Sequence, residues 1–190
     1  MNRSDTTDTQ ADENAPQAAL PEAPTLYVVF GPPGVGKTTV GEMLATELGI
    51  DHSKTDTLRH SLIQEPTYSQ TETAMVYDEL LKRARSTLAD GNGVVCDGTF
   101  SNGVYRQQAK RVAQQTGSQL RLLFVTCDDE SVRERITDRD GLSDADIDVY
   151  ESIVDEFDPI EQAYTTIDNS GSLAETRSQL VTQIDAFQDG

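Results

Sequence analysis

Apolar residues in this chain form two kinds of pattern, which alternate along residues 25–187. Short unbroken apolar runs, such as Leu26–Phe30, predict strands that are buried on both faces. Runs in which apolar residues recur every three or four positions, as in 74–90, predict helices with one buried face. The predicted strands are 25–30, 50–53, 94–96, 120–126 and 164–168. The predicted helices are 37–49, 56–64, 74–90, 103–116, 128–139, 144–163 (bent near Pro159) and 172–187.

This alternation predicts an α/β fold, a parallel sheet with helices on both faces in a three-layer arrangement. In such sheets ligands bind at the carboxyl ends of the strands. The chemistry should therefore come from the segments that follow the predicted strands. These segments are 31–38, 54–59, 97–102, 127–129 and 168–171.

The segment after the first strand is a complete phosphate-binding motif, because Gly-Pro-Pro-Gly-Val-Gly-Lys-Thr matches G-x-x-x-x-G-K-[ST] between a strand and a helix. Its glycines let backbone N–H groups point inward at a phosphate. Lys37 is expected to reach the β- and γ-phosphates, and Thr38 to offer its hydroxyl to Mg²⁺. The alternative is a structural glycine-rich turn. The predicted nucleotide-binding residues are Gly31, Pro32, Pro33, Gly34, Val35, Gly36, Lys37, Thr38 and Thr39.

The next segment, 54–59, contains Asp56 and Arg59, which share a face at the start of a predicted helix. Transfer of a phosphoryl group to a hydroxyl benefits from a carboxylate that accepts the proton, which is the role predicted for Asp56. Arg59 is expected to hold an anionic acceptor. The alternative is that Asp56 caps the helix and Arg59 is its exposed neighbour.

The third predicted strand ends at Asp97, as a Walker-B-like strand does. Asp97 is expected to lie near Mg²⁺ or the acceptor, with Thr99 as a hydrogen-bonding group beside it. Arg106, one turn into the next helix, is a further candidate for the acceptor pocket. The alternative is a simple turn, since Asp-Gly and Ser-Asn-Gly are common turn sequences.

Arginines on the predicted helix 128–139 form the last candidate group. Arg135 and Arg139 lie four residues apart beside its apolar stripe, so they are predicted to neutralise charge on the transferred phosphoryl group from a lid hinged at Gly141. Salt bridges within the helix are the alternative. The polar loop 166–171 is expected near the nucleotide base, with an ordinary turn as the equal alternative.

The charge composition says more about the protein surface than about the fold. The chain has 190 residues with 33 acidic and 15 basic ones, a formal net charge of −18. This composition favours adaptation to high salt, and the alternative is an acidic mesophilic protein with a charged tail. Residues 1–24, polar and proline-containing, are predicted to be a disordered acidic tail before one domain at 25–190.

Several classes of protein are disfavoured by the same composition. No run is long and apolar enough for a signal peptide or a membrane span, so we expect a cytoplasmic protein. Cys96 and Cys127 have no zinc-like spacing, and His52 and His60 are assigned no metal. No basic stripe with interleaved aromatic residues is present, so a small-molecule acceptor is favoured over a nucleic acid. A monomer and a dimer both remain open.

Together these segments resemble the P-loop kinases related to adenylate kinase, over residues 25–187. The branch includes the kinase domain of polynucleotide kinase, gluconate kinase, zeta toxin and small proteins often described as AAA-family ATPases. Asp56-x-x-Arg59 matches the branch's acceptor-site pattern, in which the Asp is the base. The resemblance implies a five-stranded parallel sheet, a short lid, ATP with Mg²⁺, and transfer to a hydroxyl. The Walker-B Asp-Glu pair and second helical domain of oligomeric AAA machines are missing from the sequence.

The leading hypothesis is therefore an ATP-dependent kinase with a small, anionic acceptor. The alternative is an ATP-binding regulatory module, or an NTPase that has no small-molecule acceptor.

Overall fold

The computed structural model describes residues 23–138 and 144–188. Its strands are β1 (Thr25–Phe30), β2 (Asp51–Lys54), β3 (Val94–Asp97), β4 (Gln119–Thr126) and β5 (Thr165–Asp168). Its helices are α1 (Lys37–Leu48), α2 (Thr55–Leu62), α3 (Gln70–Ala89), α4 (Gly103–Thr116), α5 (Asp129–Asp138), α6 (Asp144–Asp155) and α7 (Leu173–Gln188). The predicted tail falls largely on residues outside this description. Hydrogen bonding to β4 begins just before β1, where the Pro24 carbonyl accepts from the Gln119 N–H at 3.0 Å.

The five strands form one sheet in the order β2-β3-β1-β4-β5, and every neighbouring pair is parallel. This arrangement confirms the predicted fold class. β1 lies in the centre, and all six of its residues are buried. A central parallel strand is covered by helices on both faces, which explains why its sequence is continuously apolar.

Alternate residues of β1 enter two separate hydrophobic cores. Leu26, Val28 and Phe30 pack in one core with residues of α3 and α4. Tyr27 and Val29 pack in the other with residues of α1 and α7. Full burial of one such aliphatic side chain contributes about 2 kcal/mol. The two cores hold the strand ends at a common edge, where the candidate site lies.

α3 begins four residues earlier than predicted, at Gln70 rather than at 74. The reason is a capping arrangement at its start: the Ser69 hydroxyl accepts from the Glu72 N–H at 3.3 Å, and the Glu72 carboxylate accepts from the Thr67 N–H at 2.9 Å. The Ser-x-x-Glu spacing of a capping box was present in the sequence and marks this start.

The prediction of a helix through residue 163 is wrong, because α6 ends at Asp155. The chain beyond it is held by tertiary contacts that a helix could not make. The Asp158 N–H donates to the Ser101 carbonyl at 3.0 Å, and the Asp158 carboxylate accepts from the Gly103 N–H at 2.7 Å. Phe157 packs between the rings of Phe30 and Phe124.

Two further features bear on the class of protein. Within residues 23–138 and 144–188, no helix combines the length and apolarity needed to cross a bilayer. Both cysteines are free, and burial raises the pKa of the Cys96 thiol to about 12, so that this thiol stays protonated and unreactive.

Candidate active site

The phosphate loop has the backbone conformation that its glycines permit. Gly31, Gly34 and Gly36 have φ values of 147°, 79° and 89°, in the region that other residues rarely adopt. A Cβ on Gly31 would lie 2.5 Å from the Val125 carbonyl oxygen, so this position also needs close backbone approach. The sequence of the loop is therefore dictated by both dihedral angles and space.

The loop leads into the N-terminus of α1, which begins at Lys37. The Lys37 ammonium group lies back over the loop and donates to the Pro32 carbonyl at 2.7 Å. A curled loop, a lysine over it and a helix N-terminus behind it together favour an anionic phosphate chain. The loop, Lys37 and the first turn of α1 are the groups for which the sequence predicts nucleotide binding.

Thr38, in the first turn of α1, meets Asp97, the last residue of β3, beside the phosphate loop. The Thr38 hydroxyl donates to Asp97 Oδ2 at 2.7 Å, and only 3 % of Asp97 is exposed. A hydroxyl and a carboxylate are hard oxygen donors of the kind that Mg²⁺ accepts beside substrate phosphates. Within the described parts of the chain, no cluster of three or more His, Cys, Asp or Glu side chains offers a dedicated metal cage.

Asn169, in the loop after β5, is the polar side chain that ties this loop to the phosphate loop. It is buried, its Nδ2 donates to the Val35 carbonyl at 2.9 Å, and its Oδ1 accepts from the Thr176 hydroxyl at 2.8 Å. A Cβ on Gly36 would lie 2.2 Å from Asn169 Nδ2. The sequence indicated this loop as a neighbour of the nucleotide but did not single out Asn169.

Arg135 of α5 lies at the same edge. Its guanidinium donates to the Asn169 carbonyl at 2.9 Å and to Cys127 Sγ at 3.3 Å. Its Nη1 is 3.6 Å from where a Gly36 Cβ would be, so the group borders the phosphate loop. These hydrogen bonds leave the helix, unlike the alternative of salt bridges within it. Arg139 and the predicted Gly141 hinge lie outside the described residues.

Arg59 differs from the exposed neighbour that the alternative interpretation expected, because only 6 % of it is exposed. Its Nη2 donates to the Thr73 hydroxyl at 3.4 Å, its Nη1 is 3.9 Å from Glu72 Oε2, and its guanidinium lies 4.7 Å from the centre of the Tyr68 ring. Its Nε and Nη1 are buried and have no hydrogen-bond partner among the described residues. A buried guanidinium is thus only partly satisfied by the protein.

Asp56 lies in the first turn of α2, three residues before Arg59, and is exposed. It does not cap the helix, because α2 has Lys54 at its N-cap position and no side-chain capping bond. Glu72, whose carboxylate lies 3.9 Å from Arg59 Nη1, has its pKa lowered chiefly by a hydrogen bond from the Thr67 hydroxyl and is ionised at neutral pH. An exposed carboxylate and a buried guanidinium therefore lie about one turn apart on α2, Asp56 in its first turn and Arg59 in its last.

The Arg106 side chain is enclosed by the protein and bonded to its backbone. Only 1 % of it is exposed, and its guanidinium donates to four backbone carbonyls at 2.5–2.9 Å. These carbonyls belong to Phe100, Ser101, Asp158 and Pro159. Burial lowers the pKa of Arg106, and the charge of Asp158 partly offsets that shift. The Nη donors of Arg106 are taken up by the backbone, while its Nε is buried without a hydrogen-bond partner among the described residues. The four backbone contacts favour a structural role over the predicted place in the acceptor pocket.

Thr99 lies in the turn that joins β3 to α4, and this turn is strained. The Thr99 carbonyl accepts from the Gly31 N–H at 3.3 Å, which links the turn to the phosphate loop. The next residue, Phe100, has a φ of 45°, uncommon for a bulky side chain. Its N–H donates to the Tyr77 hydroxyl at 2.8 Å, which holds this conformation. The turn is therefore fixed tightly beside the candidate site.

Comparison with solved structures identifies the class of fold. A gluconokinase from Sinorhizobium meliloti superposes with a TM-score of 0.69 at 17 % identity, covering 90 % of this chain and 96 % of its own. An APS kinase from Mycobacterium tuberculosis, solved with AMPPNP and APS, superposes with a TM-score of 0.69 at 20 % identity, covering 89 % of this chain and 99 % of its own. The chain therefore has the fold of the P-loop kinases.

The chain belongs to the AAA domain family, whose model matches residues 26–159. Curated relatives are uncharacterized proteins of Mycobacterium bovis and Mycobacterium tuberculosis, 30 % identical over 128 residues. The match covers 61 % of this chain but 26 % of those proteins, so the chain spans about a quarter of the length of the relatives it matches.

Proposed function

We propose that this chain is an ATP-dependent kinase that transfers the γ-phosphate to a hydroxyl of a small anionic acceptor. One observation carries the proposal: Arg59 is buried with two nitrogens that lack hydrogen-bond partners among the described residues, about one turn after the exposed Asp56 on α2, the helix that follows β2. The P-loop kinase fold supports the nucleotide part of the proposal, and membership of the family supports it as well.

The proposed reaction needs positioning and charge more than covalent help from the protein. The loop amides and Lys37 hold the triphosphate. The acceptor hydroxyl oxygen attacks the γ-phosphorus, Asp56 takes the hydroxyl proton, and the bond from the γ-phosphorus to the bridging oxygen breaks to release ADP. Arg135, which borders the phosphate loop, is proposed to stabilise negative charge on the transferred group.

Thr38 and Asp97 are the residues that would hold Mg²⁺, which when bound neutralises charge on the phosphate oxygens. Their two oxygens already lie 2.7 Å apart at the base of the loop, so the donor set needs little rearrangement. We propose the same charge-stabilising role for Arg139, as a second arginine of the lid.

The acceptor is proposed to be anionic because of the electrostatics around Arg59. A buried donor left without a partner costs about 1–3 kcal/mol, and an anionic group would recover this cost with charge-assisted hydrogen bonds. A sugar acid, a nucleotide or a phosphorylated metabolite would supply such a group. A neutral polyol would leave the guanidinium without a counter-charge beyond Glu72, 3.9 Å away.

A screen for the acceptor tests the proposal. ATP labelled in the γ-phosphate is incubated in molar KCl with Mg²⁺ and pools of hydroxyl compounds, half of the pools anionic and half neutral. We expect label to move to a compound in an anionic pool, and the Lys37→Ala variant to transfer none. Phosphorylation confined to neutral compounds would remove the argument from Arg59, and release of free phosphate alone would favour an NTPase.

A further inference from the structure

A buried histidine without a hydrogen-bond partner lies behind the candidate metal ligands. His52 is on β2, whose register places it beside Val95 of β3 and two residues before the pair Lys54 and Asp97. Its side chain is 10 % exposed, and neither ring nitrogen has a hydrogen-bond partner within the described residues. Buried polar groups without partners are uncommon in folded proteins and call for an explanation.

α1 makes room for this ring through a glycine. A Cβ on Gly41 would lie 2.6 Å from His52 Nε2 and 2.9 Å from His52 Cε1, distances that a real side chain could not keep. A glycine inside a helix lowers helix stability, so its presence here needs a packing reason. The ring of His52 supplies that reason, and Gly41 and His52 form a matched pair.

The imidazole points toward the carboxylate that is proposed to bind the metal. His52 Nε2 is 3.7 Å from Asp97 Oδ2, and the same oxygen accepts the Thr38 hydroxyl proton at 2.7 Å. The gap to the histidine exceeds hydrogen-bond distance by about 0.5 Å, since such bonds extend to about 3.2 Å. A small movement of either side chain therefore converts the contact into a hydrogen bond.

We infer that His52 is a positioning residue, which holds Asp97 in its metal-binding orientation by donating from Nε2 to Oδ2. The inference rests on the proposed function, because it concerns the Thr38–Asp97 pair. Once Thr38 turns its hydroxyl oxygen toward a cation, Asp97 Oδ2 loses its present donor. The His52 ring, whose buried Nε2 lies 3.7 Å from that oxygen, is in position to replace the lost hydrogen bond.

Partners of metal ligands typically change metal affinity by about 10–100-fold when they are removed. The test therefore measures nucleotide affinity by calorimetry, once with EDTA and once across a Mg²⁺ titration. For His52→Ala we expect an unchanged affinity in EDTA and a Mg²⁺ requirement raised about tenfold or more. His52→Gln keeps a hydrogen-bond donor of similar reach. This variant should restore a Mg²⁺ requirement close to that of the wild type.

Two further variants separate positioning from general packing. Gly41→Ala should displace the ring and raise the Mg²⁺ requirement in the same direction, and His52→Ala combined with Gly41→Ala should add little to either change. His60→Ala removes an exposed imidazole elsewhere and serves as the matched control, with no expected change in the Mg²⁺ requirement.

Each outcome has a distinct meaning. If the wild-type protein binds ATP equally well with and without Mg²⁺, the metal part of the proposed function fails and this inference fails with it. If Mg²⁺ strengthens binding in the wild type and in His52→Ala to the same extent, the inference alone is overturned. An equal loss of affinity in EDTA and in Mg²⁺ would make His52 a packing residue and would also overturn it.

Discussion

The phosphate-loop half of the site and the α2–α3 half satisfy their polar groups in different ways. In the first half the side chains bond to other parts of the protein: Lys37 to Pro32, Thr38 to Asp97, and Asn169 to Val35. In the second half Asp56 is exposed, and Arg59 is buried with two nitrogens that lack hydrogen-bond partners within the described residues.

This difference indicates which half is organised before a ligand arrives. A loop whose side chains are already held close to where phosphate would bind suits chemistry that is the same for every acceptor. The α2–α3 half has polar groups that a ligand must complete, which suits selection among acceptors. The comparison predicts that variants in the two halves change different kinetic constants.

A large effect on kcat is expected for Arg135→Ala in the phosphate-loop half. Loss of the guanidinium next to Gly36 should lower kcat by about 10²–10³-fold, because charge on the transferred group is no longer stabilised. Steady-state kinetics at saturating ATP and acceptor check this, with Arg133→Ala as the control on the same helix. A fall in kcat shared equally by the control would contradict the role of Arg135.

Arg106→Ala should destabilise the fold by about 3 kcal/mol, because four backbone carbonyls lose their donor and the side-chain volume is left empty. Urea unfolding measures the change in the free energy of unfolding. The ratio of the two KM values should stay as in the wild type at temperatures where the variant is folded. A selective rise in the acceptor KM would return Arg106 to the acceptor pocket.

Arg59→Ala is the counterpart to Arg106→Ala, since both remove a buried arginine. We expect the acceptor KM to rise about tenfold or more while the ATP KM stays within about twofold, because one charge-assisted hydrogen bond contributes roughly 1.5–3 kcal/mol. Arg59→Lys should recover part of the loss. A larger rise in the ATP KM than in the acceptor KM would assign Arg59 to the nucleotide half.

These two arginines also show how far the sequence could predict the site. The phosphate loop, Lys37 and Thr38 followed from a local motif, and the meeting of Thr38 with Asp97 followed from the rule that parallel strand ends share an edge. The sequence predicted both Arg59 and Arg106 as candidates for the acceptor pocket, with Arg59 favoured over Arg106. Carbonyls as far along the chain as Asp158 and Pro159 distinguish them, and that contact exists only in three dimensions.

The same reasoning applies to the elements of the fold. The inner strands β1 and β3 were predictable because strands buried on both faces are apolar along most of their length. The end of α6 was not, because the Asp158 contacts with Ser101 and Gly103 compete with helical hydrogen bonds. His52 and Asn169 were assigned no individual role, because their importance depends on partners on other elements, Asp97 for one and Val35 for the other.

The smallest effect concerns both halves equally and comes from the net charge of −18. Screening of repulsion between carboxylates should raise Tm by about 5 °C or more between dilute buffer and molar KCl, given that about 1 kcal/mol corresponds to about 2–4 °C. Differential scanning fluorimetry measures this change in Tm. A variant without residues 1–22 should show most of the same increase in Tm with salt. A Tm that does not increase with salt would contradict adaptation to high salt.

The central claim, that Asp56 is the base of a phosphoryl transfer, is tested most directly by Asp56→Asn. The substitution keeps the size of the side chain and removes its ability to accept the proton. ATP affinity, measured by calorimetry, should match the wild type, while the rate of transfer to the acceptor should fall by about 10²–10⁴-fold. Transfer at the wild-type rate would contradict the account, and a wild-type protein that binds ATP but transfers to no acceptor would favour a regulatory module.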